Sequence, residues 1–284
     1  MLITIFTPTY NRRHLLGNLF DSLCQQTKID FEWIIVDDGS SDGTEELIMS
    51  FLENKLAFTL TYVKQQNAGK HIAINNGVKI AKGELFFIVD SDDFLPNFAI
   101  EKIIEQWGNV KSMTNFIGVV GNKCLKNGQT VGNPAYQTLD CSPTDFRFRY
   151  KEKGDKAEVI KTSIFLENPF PTTANEKFCP EAIFFNRLTD YKLRYFNDNI
   201  YYCEYLEDGL SANSIKIRKE SPINTSLCYR EMTNLNISFD EKMKAAVNFY
   251  RFARYTKIKM TAPFKSFLLN TLAKVGAELM SIRD

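Results

Sequence analysis

Along the first hundred positions, apolar residues recur in two alternating rhythms. Short runs at Ile3–Thr7, Trp33–Val36, Phe58–Val63 and Leu85–Val89 read as strands. Between them the spacing widens to three and four: Leu15, Leu16, Leu19, Phe20 and Leu23 share one face of a helix over Arg12–Gln26. A second helix is predicted from a cap at Ser41 or Asp42 through Glu53, with Glu45 and Glu46 in its first turn. A third runs from His71 to Ala81 and ends before Gly83; a fourth covers Pro96–Trp107. Strands alternating with helices across short loops predict an α/β architecture, a parallel sheet covered on both faces. In such sheets ligands bind beyond the carboxyl ends of the strands. Four polar clusters fall at those ends: Pro8–Asn11, Asp37–Ser40, Asn67–Lys70 and Asp90–Asp93.

Beyond residue 115 the pattern is less regular. Phe116–Val120 reads as a strand and Gly128–Pro134 as a loop. Gly154, Asp155 and Lys156 interrupt a basic, aromatic stretch, Phe146–Lys153. Pro180–Leu188 is predicted helical, and Lys192–Leu206 as one or two strands rich in Tyr. From about residue 220 helices dominate, with two predicted across Phe239–Ile282 and a break near Pro263.

Composition narrows the class. The 284 residues are 44% hydrophobic and include 23 Phe and 12 Tyr, enough for a packed core. A net charge of +1 gives no general reason to expect a nucleic-acid partner. Charge is uneven, however: nine basic residues face one acid between Lys242 and Arg283. Six Cys without a CxxC pair argue against a zinc site or a disulfide framework and suit a reducing cytosol. The N-terminus reads as a strand rather than a signal peptide, and no apolar run nears the roughly 18 residues of a membrane span. The expectation is a soluble, cytoplasmic protein.

The run GELFFIVDSDDFLP (83–96) places three carboxylates, Asp90, Asp92 and Asp93, at the end of an apolar strand. Alternation on a strand would point Asp90 and Asp92 the same way. Paired hard oxygen donors suit Mg²⁺ or Mn²⁺, which usually bind substrate phosphates as well. The bland reading is an acidic turn capping the helix at Pro96. Other nucleotide folds fit poorly. No GxGxxG follows the first strand, and a P-loop at AGK (68–70) lacks Gly at Lys64 and Ser or Thr at His71.

TPTYN (7–11), IIVDDGSSDGT (34–44), NAGKHIAINNG (67–77) and VDSDD (89–93) resemble, in order and spacing, the family 2 glycosyltransferases of GT-A fold. GDKAEVIKT (154–162), KFCPEAIFFNRL (177–188) and YYCEYLEDGLS (201–211) are similar to bacterial members that build capsular, exo- or lipopolysaccharide. The resemblance implies a mixed, mainly parallel GT-A sheet flanked by helices over 1–218, with a nucleotide-sugar half at 1–95, an acceptor half at 96–218 and a helical tail at 219–284. It also implies that Pro8 and Tyr10 line the base pocket, with Asp37 and Asp38 bonding the base or ribose. Asn67, Gly69 and Lys70 would lie near the donor. Asp90 and Ser91 would face its ribose or sugar, and Asp92 the metal, with Asp93 and Asp90 as further ligands to Mn²⁺ or Mg²⁺.

Inverting transfer needs a base to take the acceptor proton. The family places an acid six residues before an Arg at a helix start. Here Glu181 stands six before Arg187, with Pro180 where an acid usually precedes it. Glu181 is therefore the expected base, Asp155 the reserve, and Glu207 or Asp208 weaker candidates. The implied activity is non-processive transfer from a nucleotide sugar, UDP-linked by preference, to a saccharide on a lipid carrier. A sugar nucleotidyltransferase and an inactive binding partner are the alternatives. The basic tail suggests peripheral contact with the inner face of the membrane, or a homodimer.

Overall fold

The computed structural model describes residues 1–204 and 213–281, and these divide into two compact units. The first unit comprises Met1–Pro169 with Asp190–Glu204. In chain order it holds β1 (Ile3–Thr9), α1 (Arg13–Cys24), β2 (Phe31–Asp37), α2 (Thr44–Leu52), β3 (Thr59–Lys64), α3 (Lys70–Ile80) and β4 (Leu85–Ile88). It continues with α4 (Ala99–Gly108), β5 (Phe116–Cys124), β6 (Thr138–Cys141), β7 (Lys156–Lys161), α5 (Thr162–Glu167) and, after the excursion into the second unit, β8 (Lys192–Tyr202).

The eight strands form one sheet in the order β3-β2-β1-β4-β7-β5-β8-β6. β3, β2, β1 and β4 run parallel, β7 runs against both neighbours, β5 and β8 are parallel, and β6 closes the edge antiparallel. Every residue of β1 and β2 is buried, because helices cover both faces of these central strands. On one face Leu16, Leu19, Trp33, Ile48 and Phe87 join a single core, where Phe20 stacks on Phe51 at 4.0 Å. On the other, Phe6 stacks on Phe86 at 5.1 Å.

The packing of α3 on that second face depends on Gly77, where an added Cβ would lie 2.1 Å from Cε2 of Phe6. The Phe6 ring is fully buried and has little room to yield. Gly77→Ala is therefore expected to destabilise the chain by about 2 kcal/mol, through overpacking. Urea denaturation measures this, and an unchanged midpoint would refute the close packing.

Several boundaries differ from the sequence expectation. α2 begins at Thr44 behind Gly43, while Asp42 accepts the Thr44 N–H at 3.1 Å instead of capping from the helix end. β5 runs on to Cys124, and the described part of Lys192–Leu206 holds one strand, ending at Tyr202. β6, β7 and α5 have no counterpart in the periodicity. β7 was hidden by its lysines: Lys156, buried, donates to Asn122 Oδ1 at 2.8 Å, so a charge sits where the pattern demands an apolar residue. The basic, aromatic stretch forms a single π-helical turn at Asp145–Arg149, with Phe146 stacked on Tyr195 at 3.8 Å.

The second unit comprises Phe170–Thr189 and the described part of Tyr205–Asp284. It contains α6 (Ala182–Asn186), α7 (Ser214–Glu220), α8 (Pro222–Met232), α9 (Phe239–Ala253) and α10 (Phe267–Ser281). The expected break at Pro263 spans the whole interval from α9 to α10. Glu176 places its carboxylate at the start of α8, accepting the N–H groups of Ile223 and Asn224 at 2.7 Å each. Among the described residues no helix is long and apolar enough to cross a membrane.

Candidate active site

The four polar clusters at the strand ends are joined by a continuous set of contacts. After β1 the chain turns at Asn11, whose φ of 52° is left-handed. Its N–H donates to Ser40 Oγ at 2.8 Å, and its Oδ1 accepts the Ser41 N–H at 2.9 Å. The Asp38 N–H donates to the Thr9 carbonyl at 2.8 Å. These bonds lock the loop after β1 to the loop after β2, leaving Pro8 buried and Tyr10 exposed.

Asp37 and Asp38 spend their carboxylates within the protein. Asp37 accepts the Ser40 N–H at 2.7 Å and the Tyr62 hydroxyl at 2.9 Å. Asp38 accepts the Ala68 N–H at 2.7 Å and the Gly69 N–H at 2.8 Å, with the Gln65 amide at 2.8 Å as a third donor. Asp38 thus holds the 65–69 loop, which carries half-buried Asn67 and ends at Gly69, whose φ of 99° favours glycine.

From the start of α3, Lys70 reaches across to Asp90, with Nζ 2.6 Å from Oδ1. The segment after β4 is fixed from both ends. The Asp90 N–H donates to the Tyr201 hydroxyl at 2.9 Å, and Phe94 exchanges backbone bonds with Tyr202. Burial opposes ionisation of Asp90, but Lys70 and Lys123 outweigh it and hold its carboxyl below the usual range. Asp92, half-buried, is pushed the other way, by burial and then by the charge on Asp90. Asp93 is buried and raised to about 7, by burial first and Asp90 next. It accepts the Glu204 N–H at 3.2 Å and the Tyr201 hydroxyl. Ser91 is buried between them.

Lys123, which no motif announces, and Tyr201, the first residue of the YYCEYLEDGLS segment, belong to this cluster. Lys123 Nζ lies 4.0 Å above the Tyr201 ring. They come from β5 and β8, and the Tyr201 contact with Asp90 spans 111 positions. For Lys123 the sequence carries no such signal.

The donor set bears on a metal. Asp92 is a hard oxygen donor whose negative charge its surroundings oppose, which a divalent cation would relieve. Among the described residues no three His, Cys, Asp or Glu side chains form a metal-holding group. Such a site fits Mg²⁺ or Mn²⁺ held by one or two carboxylates together with substrate phosphate and water, not a closed protein cage.

His71, next to Lys70, is buried with neither ring nitrogen hydrogen-bonded. Burial lowers it to about 4, against a smaller opposing effect of Asp38. Its folded value lies below the unfolded one near 6.5, so acid draws protons to the unfolded chain. The stability it permits is full above about 6.5 and declines toward 4. Between pH 8 and 4.5 the wild type is expected to lose about 2 kcal/mol more than His71→Leu, by urea melts at both pH values. Parallel losses in the two chains would refute the buried, neutral imidazole.

In the second unit Glu181 is exposed immediately before α6 and its carbonyl accepts the Phe184 N–H at 3.0 Å. α6 has only five residues, so the dipole support expected for an acid there is slight. Arg187, at its end, forms a fork with Glu231 at 2.9 and 3.1 Å. In the first unit Asp155 is exposed in the loop before β7, next to Gly154 at φ 86°. Glu207 and Asp208 lie outside the described residues.

Comparison with known proteins places this arrangement. The family model described as "Glycosyl transferase family 2" matches residues 4–160. A poly(ribitol-phosphate) beta-glucosyltransferase of Bacillus spizizenii is 27% identical over 188 residues, 65% of this chain and 29% of that protein. The matched segments span between 11% and 42% of the curated relatives' own lengths. Among solved structures, S. aureus TarS 1-349 in complex with UDP-GlcNAc superposes with a TM-score of 0.63 at 20% identity, over 98% of this chain and 79% of that one. Mannosyltransferase PcManGT from Pyrobaculum calidifontis, in complex with GDP-Man and Mn²⁺, gives 0.57 at 17% identity, over 99% and 74%. These likenesses establish the fold, a mixed, mainly parallel sheet flanked by helices.

Proposed function

The chain belongs to glycosyl transferase family 2, and from that premise we propose that it transfers a sugar from a nucleoside diphosphate to a saccharide acceptor with inversion. The donor is a UDP-sugar and the acceptor is carried on a lipid, for bacterial surface polysaccharide. The observation that carries the reading is the Lys70–Asp90 pair at 2.6 Å beside Asp92, on loops tied to those after β1 and β2. It offers a cation and hard oxygen donors where a diphosphate would sit.

Pro8 and Tyr10 line the base pocket, and Asp37 and Asp38 shape its floor by holding the turns beneath it. Asn67 and Gly69 border the diphosphate, Lys70 meets it, and Asp90 and Ser91 face the sugar side. Asp92 is the foremost metal ligand, since Asp93 already takes two protein donors. Bound Mn²⁺ or Mg²⁺ would neutralise charge on the departing diphosphate. Glu181 takes the proton of the acceptor hydroxyl as its oxygen attacks the anomeric carbon opposite the leaving group. The donor-binding loops belong to the first unit and Glu181 to the second. The enzyme works in the cytoplasm at the inner face of the membrane, where a lipid-borne acceptor is presented. The related glucosyltransferase, TarS bound to UDP-GlcNAc and the Mn²⁺-bound mannosyltransferase support the substrate class and the metal.

The test is incubation with a panel of nucleotide sugars, carrier-linked saccharides and Mn²⁺ or Mg²⁺, following the released nucleotide. UDP release that stops on adding EDTA is expected. Pyrophosphate release would mark a nucleotidyltransferase instead. Donor binding without turnover across the panel would mark a binding partner.

A further inference from the structure

One side of α1 is polar where it meets the segment that follows β4. Asn18, Asp21 and Gln25 recur at intervals of three and four, so they share an exposed face of the helix. With Asn97 they line a hollow of about 530 Å³ within the first unit. Among the described residues none of these four side chains hydrogen-bonds to the protein. The walls are held by other groups. The Leu95 N–H donates to Ser22 Oγ at 3.2 Å, Gln26 Nε2 to the Pro96 carbonyl at 2.8 Å, and the Thr27 N–H to the Asn97 carbonyl at 2.8 Å. Phe94 and Tyr202, bonded through their backbones, add a stacked pair of half-buried rings with centroids 4.9 Å apart. Phe98, 39% exposed, adds a third ring.

The chemistry of this lining narrows the ligand. An apolar molecule would strand four polar side chains away from water. An anion would meet the Asp21 carboxylate, and the only cation among the described lining residues, Lys126, is paired with Glu204 at 2.5 Å. What fits is a neutral molecule with an apolar face for the rings and hydroxyls for the amides and the carboxylate, which is a saccharide. The volume lies within the roughly 300–1,000 Å³ of small-molecule sites.

We infer that this hollow is a subsite for a neutral saccharide, and that it holds the acceptor chain beyond the sugar that receives the transfer. None of the residues assigned to the donor lines it, apart though it is by a single step from the acids: Phe94 follows Asp93 directly. Lys126 is tied to Glu204, whose N–H donates to Asp93. A saccharide bound there lies along the segment that carries the carboxylates. The binding stands on the lining alone; the acceptor role rests on the transferase reading.

Saturation-transfer NMR on the full chain, without donor or metal, tests the binding with cellotriose, maltotriose and triacetylchitotriose. At least one is expected to receive saturation, with a dissociation constant of about 1 mM or below. Asn18→Ala with Gln25→Ala should raise that constant at least about 10-fold, through two lost hydrogen bonds. Both side chains are exposed, so the urea midpoint should not move. Phe98→Ala, which removes a ring rather than an amide, should weaken binding by a similar factor. No saturation with any of the three sugars, binding that survives both variants, or binding displaced by UDP with Mn²⁺ would overturn the subsite. The acceptor role is read separately, as a rise of at least about 10-fold in acceptor KM in the same variants. An unchanged acceptor KM would overturn that role with the saccharide site intact. No turnover of any donor by the wild type would instead sink the transferase reading, and the acceptor role with it.

Discussion

Asp92→Ala is expected to lower UDP release at least about 1,000-fold, the scale of removing an electrostatic anchor for a leaving group. Burial and the neighbouring Asp90 oppose the charge of Asp92 as they do that of Asp93. Asp93, however, already takes two protein donors, and among the described residues Asp92 has no lysine at 2.6 Å such as compensates Asp90. Such a group is costly in the free protein and gains from a cation. The same argument predicts that Asp92→Ala folds at least as stably as the wild type when no metal is added. Two further readouts separate this from loss of fold. Mn²⁺-dependent binding of UDP by calorimetry should vanish, and the urea midpoint should not fall. Full turnover by Asp92→Ala would end the metal assignment.

The second large effect is at Glu181. Exchanging its carboxylate for the isosteric amide, Glu181→Gln, should slow transfer at least about 100-fold by removing the general base. UDP binding should be unchanged, since this residue is assigned to the acceptor proton and not to the donor. The side chain is exposed at the head of a five-residue helix whose other end is fixed by the Arg187–Glu231 fork. The urea midpoint of the variant separates loss of the base from loss of fold. The decisive signature is the acid limb of the rate–pH profile, which should be lost in the variant. Undiminished turnover would pass the role to Asp155, tested in the same way.

The first hundred residues made their architecture legible because each strand there is an apolar run and each helix an amphipathic one. β1 through β4 alternate with α1 through α4 near the expected positions. The polar clusters announced the rim for a related reason: each follows directly on a buried strand, so they gather at one end of the parallel sheet. The later half was harder. β7 carries lysines at both ends and lies antiparallel between two strands, so neither alternation nor an apolar run reveals it. Its order in the sheet depends on partners distant in sequence.

Sequence by itself determined the repeating strand–helix order, the rim on which the polar loops gather, and the motifs that identify the family. These are local properties, written in spacing of a few residues. Tertiary structure decided how the acids divide their work. Asp37 accepts a backbone N–H and the Tyr62 hydroxyl, Asp38 two backbone N–H groups and the Gln65 amide. Asp90 is compensated by Lys70 and Lys123, and Asp93 accepts from Tyr201 and Glu204, while Asp92 keeps an opposed charge. Five aspartates of identical chemistry come to differ because a carboxylate's charge depends on the donors, cations and solvent around it. Those neighbours arrive from strands as far as 111 positions away.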